Sequence, residues 1–114
     1  MIRTFLRSAI HNATVTQAEK TVSLRMDPVL MRAAELLPGE QVEIVNVATG
    51  ERFSAYVEPG ADGEVRVRAG RAGDIISILS YGTLHDGQTL AHRAKVITLD
   101  AANRIVSLTE MLTS

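Results

Sequence analysis

Residues 40–58, EQVEIVNVATGERFSAYVE, are two runs of alternating apolar and polar side chains on either side of Ala48-Thr49-Gly50. Alternation with period two turns one side of each run toward a core. A glycine in the connection supplies the positive φ that a tight turn needs, so the stretch predicts a β-hairpin. The same grammar extends outward. Upstream, IRTFLRSAI (2–10) and ATVTQ (13–17) predict an opening pair of strands. TVSLRM then predicts a third strand over about 20–26, with Val22, Leu24 and Met26 on one side and Thr21, Ser23 and Arg25 on the other. Between that strand and the hairpin lies DPVLMRAAELLPG (27–39). Asp27 suits an N-cap, Pro28 suits the first helical position, Leu30, Ala33, Ala34 and Leu37 recur at helical spacing, and Pro38-Gly39 marks the stop. Downstream, EVRVR (64–68), DIISILS (74–80), RAKVITLD (93–100) and RIVSLTEM (104–111) alternate again, the last two around Ala101-Ala102-Asn103. Roughly eight short strands and one short capped helix after the third strand predict a mainly β protein, a small barrel whose closure removes exposed edges.

A chain of 114 residues is the length of a single domain spanning 1–114. Hydrophobic residues at 46% and a net charge of −1 describe a soluble protein with no electrostatic case for nucleic acid, and two Tyr, two Phe and no Trp leave no stacking platform. The absence of cysteine excludes disulfides, thiolate metal sites and a cysteine nucleophile, and fits the cytoplasm. No signal-peptide core and no run of about 18 apolar residues is present, so neither secretion nor a membrane partner is expected. His85 and His92, seven apart around Asp86, lack the close spacing of a metal pair, and no metal is expected. VATGERF and GRAGD carry glycines but no phosphate-loop pattern, and read as turns.

Four blocks occur in a familiar order: MIRTFLRSAIHNATVT (1–16), NVATGERFSAY (46–56), AGDIISILSYGTL (72–84) and RAKVITLDAANRI (93–105). Over nearly its whole length the chain resembles the pyruvoyl-dependent aspartate 1-decarboxylases. The resemblance implies a double-psi β-barrel, assembled as a homotetramer with active sites shared between neighbouring subunits. It also implies that Ser23 occupies the position of a serine that attacks the preceding carbonyl, cleaves its own chain and becomes a pyruvoyl group, which forms a Schiff base with the amino-acid substrate. His11, Ser23, Arg52 and Tyr56 match the family's site positions. Arg52 would hold the substrate carboxylate, Tyr56 would return a proton after carbon dioxide leaves, and His11 would act as acid, base or donor.

Several positions depart from that pattern. Val22 stands where the family has glycine, and a β-branched residue does not cheaply adopt a distorted backbone. Ala55 replaces a threonine whose hydroxyl supports self-cleavage, Ala69 falls where an asparagine is expected, and Ala9 replaces a carboxylate-binding lysine. The expectation is a divergent homologue with inefficient or absent self-processing and no cofactor. It would be repurposed in a biosynthetic pathway for acid–base chemistry on a small carboxylate or carbonyl substrate. Two alternatives stand beside it. One is a pyruvoyl-dependent decarboxylase cut at Val22-Ser23, giving a β-alanine-type product; the other is a non-catalytic barrel subunit or regulator. The plain structural readings also stay open: a strand serine, a solvated hairpin arginine, a packed tyrosine and a structural histidine.

Overall fold

In a computed structural model, which describes residues 2–68, 71–85 and 92–112, the hairpin of residues 40–58 is β4 (Gln41–Asn46) and β5 (Arg52–Pro59). The two strands are antiparallel, with Val42 opposite Ala55 and Ile44 opposite Phe53. Gly50 takes φ +75°, and the Asn46 side-chain oxygen accepts the N–H groups of Ala48 and Thr49 to shape the turn. Around this hairpin lie β1 (Ile2–Thr14), β2 (Gln17–Ala18), β3 (Ser23–Met26), α1 (Pro28–Ala33), β6 (Val65–Val67), β7 (Ile75–His85), β8 (Arg93–Leu99) and β9 (Ile105–Leu112). One curled sheet runs in the order β2-β6-β3-β5-β4-β7-β1-β8-β9. Most neighbours are antiparallel, but β2 lies parallel to β6, β3 to β5 and β1 to β8. This mainly β half-barrel with one short helix is the architecture of a double-psi β-barrel. Its core collects Ile10, Leu24, Met26, Leu30, Ile44, Val57, Ile76, Ile78 and Ile97, each almost fully buried. No helix among the described residues is long and apolar enough to cross a membrane.

The opening strands are not a pair. A single 13-residue β1 pairs with β7, and two register shifts, at Leu6/Ser8 and Ile10/Ala13, absorb the irregular pattern. Asn12 sits at φ +62° in the second bulge, a conformation that asparagine tolerates better than most residues. The third strand starts at Ser23 rather than near residue 20, because Thr21 Oγ1 accepts the Ser23 N–H at 3.3 Å and bends the chain before it. Leu24 and Met26 are buried as the alternation requires, whereas Val22 is 47% exposed.

The helix also ends earlier than Pro38-Gly39. Its cap is Ala34, Glu35 adopts φ +57°, and the N–H groups of Glu35 and Leu36 return to the carbonyls of Arg32 (3.2 Å) and Met31 (2.8 Å). This is a Schellman ending, closed by the packing of buried Leu36 into the core and leaving Leu37 exposed. Asp27 caps the other end: one carboxylate oxygen accepts the Val29 N–H at 2.8 Å and the other the Gly63 N–H at 2.9 Å. Asn103, in the β8–β9 turn at φ +61°, is buried and ties three segments together. It accepts from the Thr14 N–H (2.8 Å) and donates to the Thr14 and Gly63 carbonyls (2.9 and 3.0 Å).

Candidate active site

The parallel β3–β5 pair sets Ser23 opposite Tyr56. The Val22 carbonyl accepts the Tyr56 backbone N–H at 3.0 Å, and the Ser23 N–H points back to Thr21. Both polar groups of the Val22–Ser23 peptide are therefore held. Among the described residues, the non-glycine positions with positive φ are Asn12, Glu35 and Asn103, so Val22 does not take the left-handed backbone that glycine offers. A crevice too narrow to admit a water molecule lies beside this peptide, lined by Val22, Ser23, Phe53, Ser54, Ala55, Val67 and Arg68. Ala55 is 1% exposed and presents only a methyl group to it. If the serine attacked, the developing oxyanion on Val22 would meet one donor, the Tyr56 N–H, and no hydroxyl from position 55.

Strand alternation on β5 turns Arg52, Ser54 and Tyr56 outward while Ala55 and Val57 enter the core. Arg52 lies four residues before Tyr56, about 13 Å along the strand. Its Nε donates to Glu43 Oε1 at 2.6 Å, so the side chain leans toward β4, the side of β5 away from β3. Each partner holds the other charged. The Arg52 hydrogen bond outweighs burial and keeps the Glu43 carboxyl below its ordinary pKa, and Glu43 raises that of Arg52. Tyr81, on β7, stands beside the pair; burial first, then the Glu43 charge, pushes its phenol up, so the hydroxyl stays protonated at neutral pH. Gln41, Val42, Glu43, Arg52, Phe53, Ser54 and Tyr81 line a groove of about 530 Å³. Phe53 and Ser54 also line the Ser23 crevice, so groove and crevice are neighbours across β5.

His11 stands elsewhere. The bulge at Asn12 aims it so that Nδ1 lies 2.9 Å from Ser77 Oγ, and β5, β4 and β7 intervene between its strand and β3. Among the described residues, no hydrogen bond joins His11 to Ser23, Arg52 or Tyr56. One chain thus sets Ser23 on β3 beside Tyr56 on β5, places Arg52 farther along β5 and turned toward β4, and leaves His11 apart. Ala9 is buried at 1% exposure, opposite Leu79. Ala69 and Asp86 lie outside the described residues. His92 is occupied structurally, with Nε2 2.9 Å from the Leu6 carbonyl and its ring packed on Phe5 at 5.8 Å. No group of three or more His, Asp or Glu side chains converges among the described residues.

Glu43 and Tyr81 were not singled out by sequence reasoning. Opposite charges nine positions apart, flanking a hairpin turn, could have suggested the Glu43–Arg52 contact, because the register makes them diagonal neighbours. Tyr81 gives no local signal, since it reaches the pair from a strand far along the chain.

Comparison with known proteins accords with this geometry. A sequence model of the aspartate decarboxylase family matches residues 1–106. The chain is 39% identical to the aspartate 1-decarboxylase of Shouchella clausii (strain KSM-K16), over 95% of this chain and 92% of that relative.

Proposed function

The chain belongs to the aspartate decarboxylase family, and from that premise we propose a cofactor-independent acid–base enzyme that binds a small carboxylate or carbonyl compound on Arg52. Family membership supports decarboxylase-like, carboxy-lyase chemistry. The finer reading rests chiefly on one observation: the Val22–Ser23 peptide lies in ordinary backbone beside a buried Ala55 that offers no hydroxyl. The residues at this bond do not fit efficient formation of the pyruvoyl group. Without that ketone an α-amino acid has no electron sink, so the substrate must carry its own activation. Isomerisation, cyclisation, dehydration or loss of carbon dioxide from a β-keto acid all meet that condition.

In this reading Arg52 fixes a carboxylate or enolate oxygen through its planar fork. Tyr56, 44% exposed on the same face of β5, gives or takes a proton. His11 supplies the second acid–base group from a neighbouring subunit of a homotetramer, which would account for its distance from Ser23 within one chain. The eight-residue edge strand β9, with Ile105, Val106, Leu108 and Met111 exposed, supports assembly, because an open apolar edge invites pairing.

One observation favours a second reading, a pyruvoyl-dependent decarboxylase cut at Val22-Ser23. The Tyr56 N–H already sits 3.0 Å from the carbonyl oxygen that would become the oxyanion. Intact mass separates the two. A single species near 12.3 kDa whose carboxylate binding is lost on Arg52→Ala and kept on Ser23→Ala supports the first; two fragments support the second.

A further inference from the structure

Ser23 has a cation for a neighbour. On β3 the burial of Leu24 and Met26 turns Ser23 and Arg25 outward, and on β6 the burial of Val65 and Val67 turns Arg66 outward on the same side. The two strands are antiparallel, with Arg25 directly opposite Arg66. Two residues farther, the same register brings Arg68 beside Ser23, and both line the crevice. Like charges set opposite each other cost stability unless an anion answers them. Glu19 is ion-paired with Arg66, its Oε2 3.2 Å from Nε, but this buried Nε makes no hydrogen bond. Arg68 is exposed and has no hydrogen bond or ion pair among the described residues. Because Tyr56 is the partner of Ser23 on its other side, Arg68, Ser23 and Tyr56 form one row across β6, β3 and β5, about 10 Å from end to end. Phe53 and Ser54 line both the crevice and the Arg52 groove, so Arg68 and Arg52 approach one stretch of β5 from opposite sides.

We propose that Arg68 is a further substrate-binding residue, which seats an anionic group of the ligand at the mouth of the Ser23 crevice, next to Tyr56. The crevice is too narrow for a water molecule, so the ligand lies across its mouth and not inside it. The planar fork of an arginine with nothing else to hold suits a carboxylate. With Arg52 on the other side of Ser54, the ligand that gains from both arginines carries two carboxylates. Arg68 is then the residue that lets the site prefer such a ligand to a monocarboxylate. This inference rests on the reading of Arg52 as the ligand of the first carboxylate, and the role of Arg68 is tested apart from it.

The test is calorimetric titration of the whole protein with propionate, succinate and glutarate at fixed ionic strength. The wild type is expected to bind succinate or glutarate at least about tenfold more tightly than propionate, the worth of one charge-assisted hydrogen-bonded contact. Arg68→Ala should bring that ratio to within about twofold. Arg32→Ala removes another exposed cation, on α1, and should leave the ratio as it is. Thermal melts establish that each variant folds. A wild type without the preference, a ratio unchanged in Arg68→Ala, or one lowered as far by Arg32→Ala overturns the inference; if Arg52→Ala then still weakens all three acids, the Arg52 reading survives. If Arg52→Ala changes nothing while Arg68→Ala removes the preference, the inference stands and the Arg52 reading falls. A wild type that binds none of the three acids overturns both.

Discussion

Returning a hydroxyl to position 55 and glycine to position 22 should switch on cleavage before Ser23. The Val22 carbonyl has one donor in place, the Tyr56 N–H at 3.0 Å. A threonine at 55 would add a second from a position that already lines the same crevice. One such donor to a developing oxyanion is worth about 2.7–4 kcal/mol, which is a rate factor of roughly 10²–10³. Ala55 is 1% exposed and the crevice is too tight for a water molecule, so the added hydroxyl and methyl must push their neighbours aside. That overpacking costs about 1–3 kcal/mol and appears in a thermal melt. Glycine at 22 then lets the bend before Ser23 distort at low cost. The assay is a time course of intact mass on purified Val22→Gly/Ala55→Thr protein, with Ser23→Ala added to the same background as control. Accumulating fragments that break between positions 22 and 23, absent in the control, are the expected result. A double variant that stays whole for as long as the wild type, or a control that is cut equally, refutes the reasoning.

Arg52→Ala should weaken carboxylate binding by at least about tenfold while Ser23→Ala leaves it within about twofold, read by calorimetry. Asn103→Asp keeps the shape of the side chain but sets a carboxylate oxygen against the Thr14 and Gly63 carbonyls in place of a donor. Two lost hydrogen bonds and buried acceptors left unpaired predict a loss of about 2–4 kcal/mol in urea unfolding; a loss under about 0.5 kcal/mol would contradict the role given to this residue. Glu40 provides a pH signature. Burial alone would raise its carboxyl, but the Leu37 N–H, the Ser80 hydroxyl and the Arg7 guanidinium together hold it below its ordinary value. Its contribution is therefore full above the unfolded carboxylate pKa and disappears as pH falls through the lower folded value. Glu40→Gln should flatten that acid limb of the stability curve, and an unchanged limb would assign the loss to other groups.

What could be read from the residues divides along physical lines. The 40–58 hairpin and the β8–β9 hairpin were legible because period-two burial and a turn residue coincide at both. The helix end was not, because a glutamate at φ +57° took the place where glycine is the usual signal, and the burial of Leu36 decided the matter. Val22 was misplaced for a similar reason: a local Thr21 side-chain contact overrode the alternation. In the site, Ser23 lies opposite Tyr56 only because β3 and β5 pair in parallel. Tyr81 beside Glu43, and His11 beside Ser77 and far from Ser23, depend on sheet order, which no local pattern encodes.

The central claim is that the bond before Ser23 mostly stays closed. Intact mass spectrometry of the purified wild-type protein addresses it directly. One species near 12.3 kDa that shows no imine after borohydride reduction with amino acids is the predicted result. Two fragments with a breakpoint at Val22/Ser23, and an amino acid trapped on the second, would contradict it.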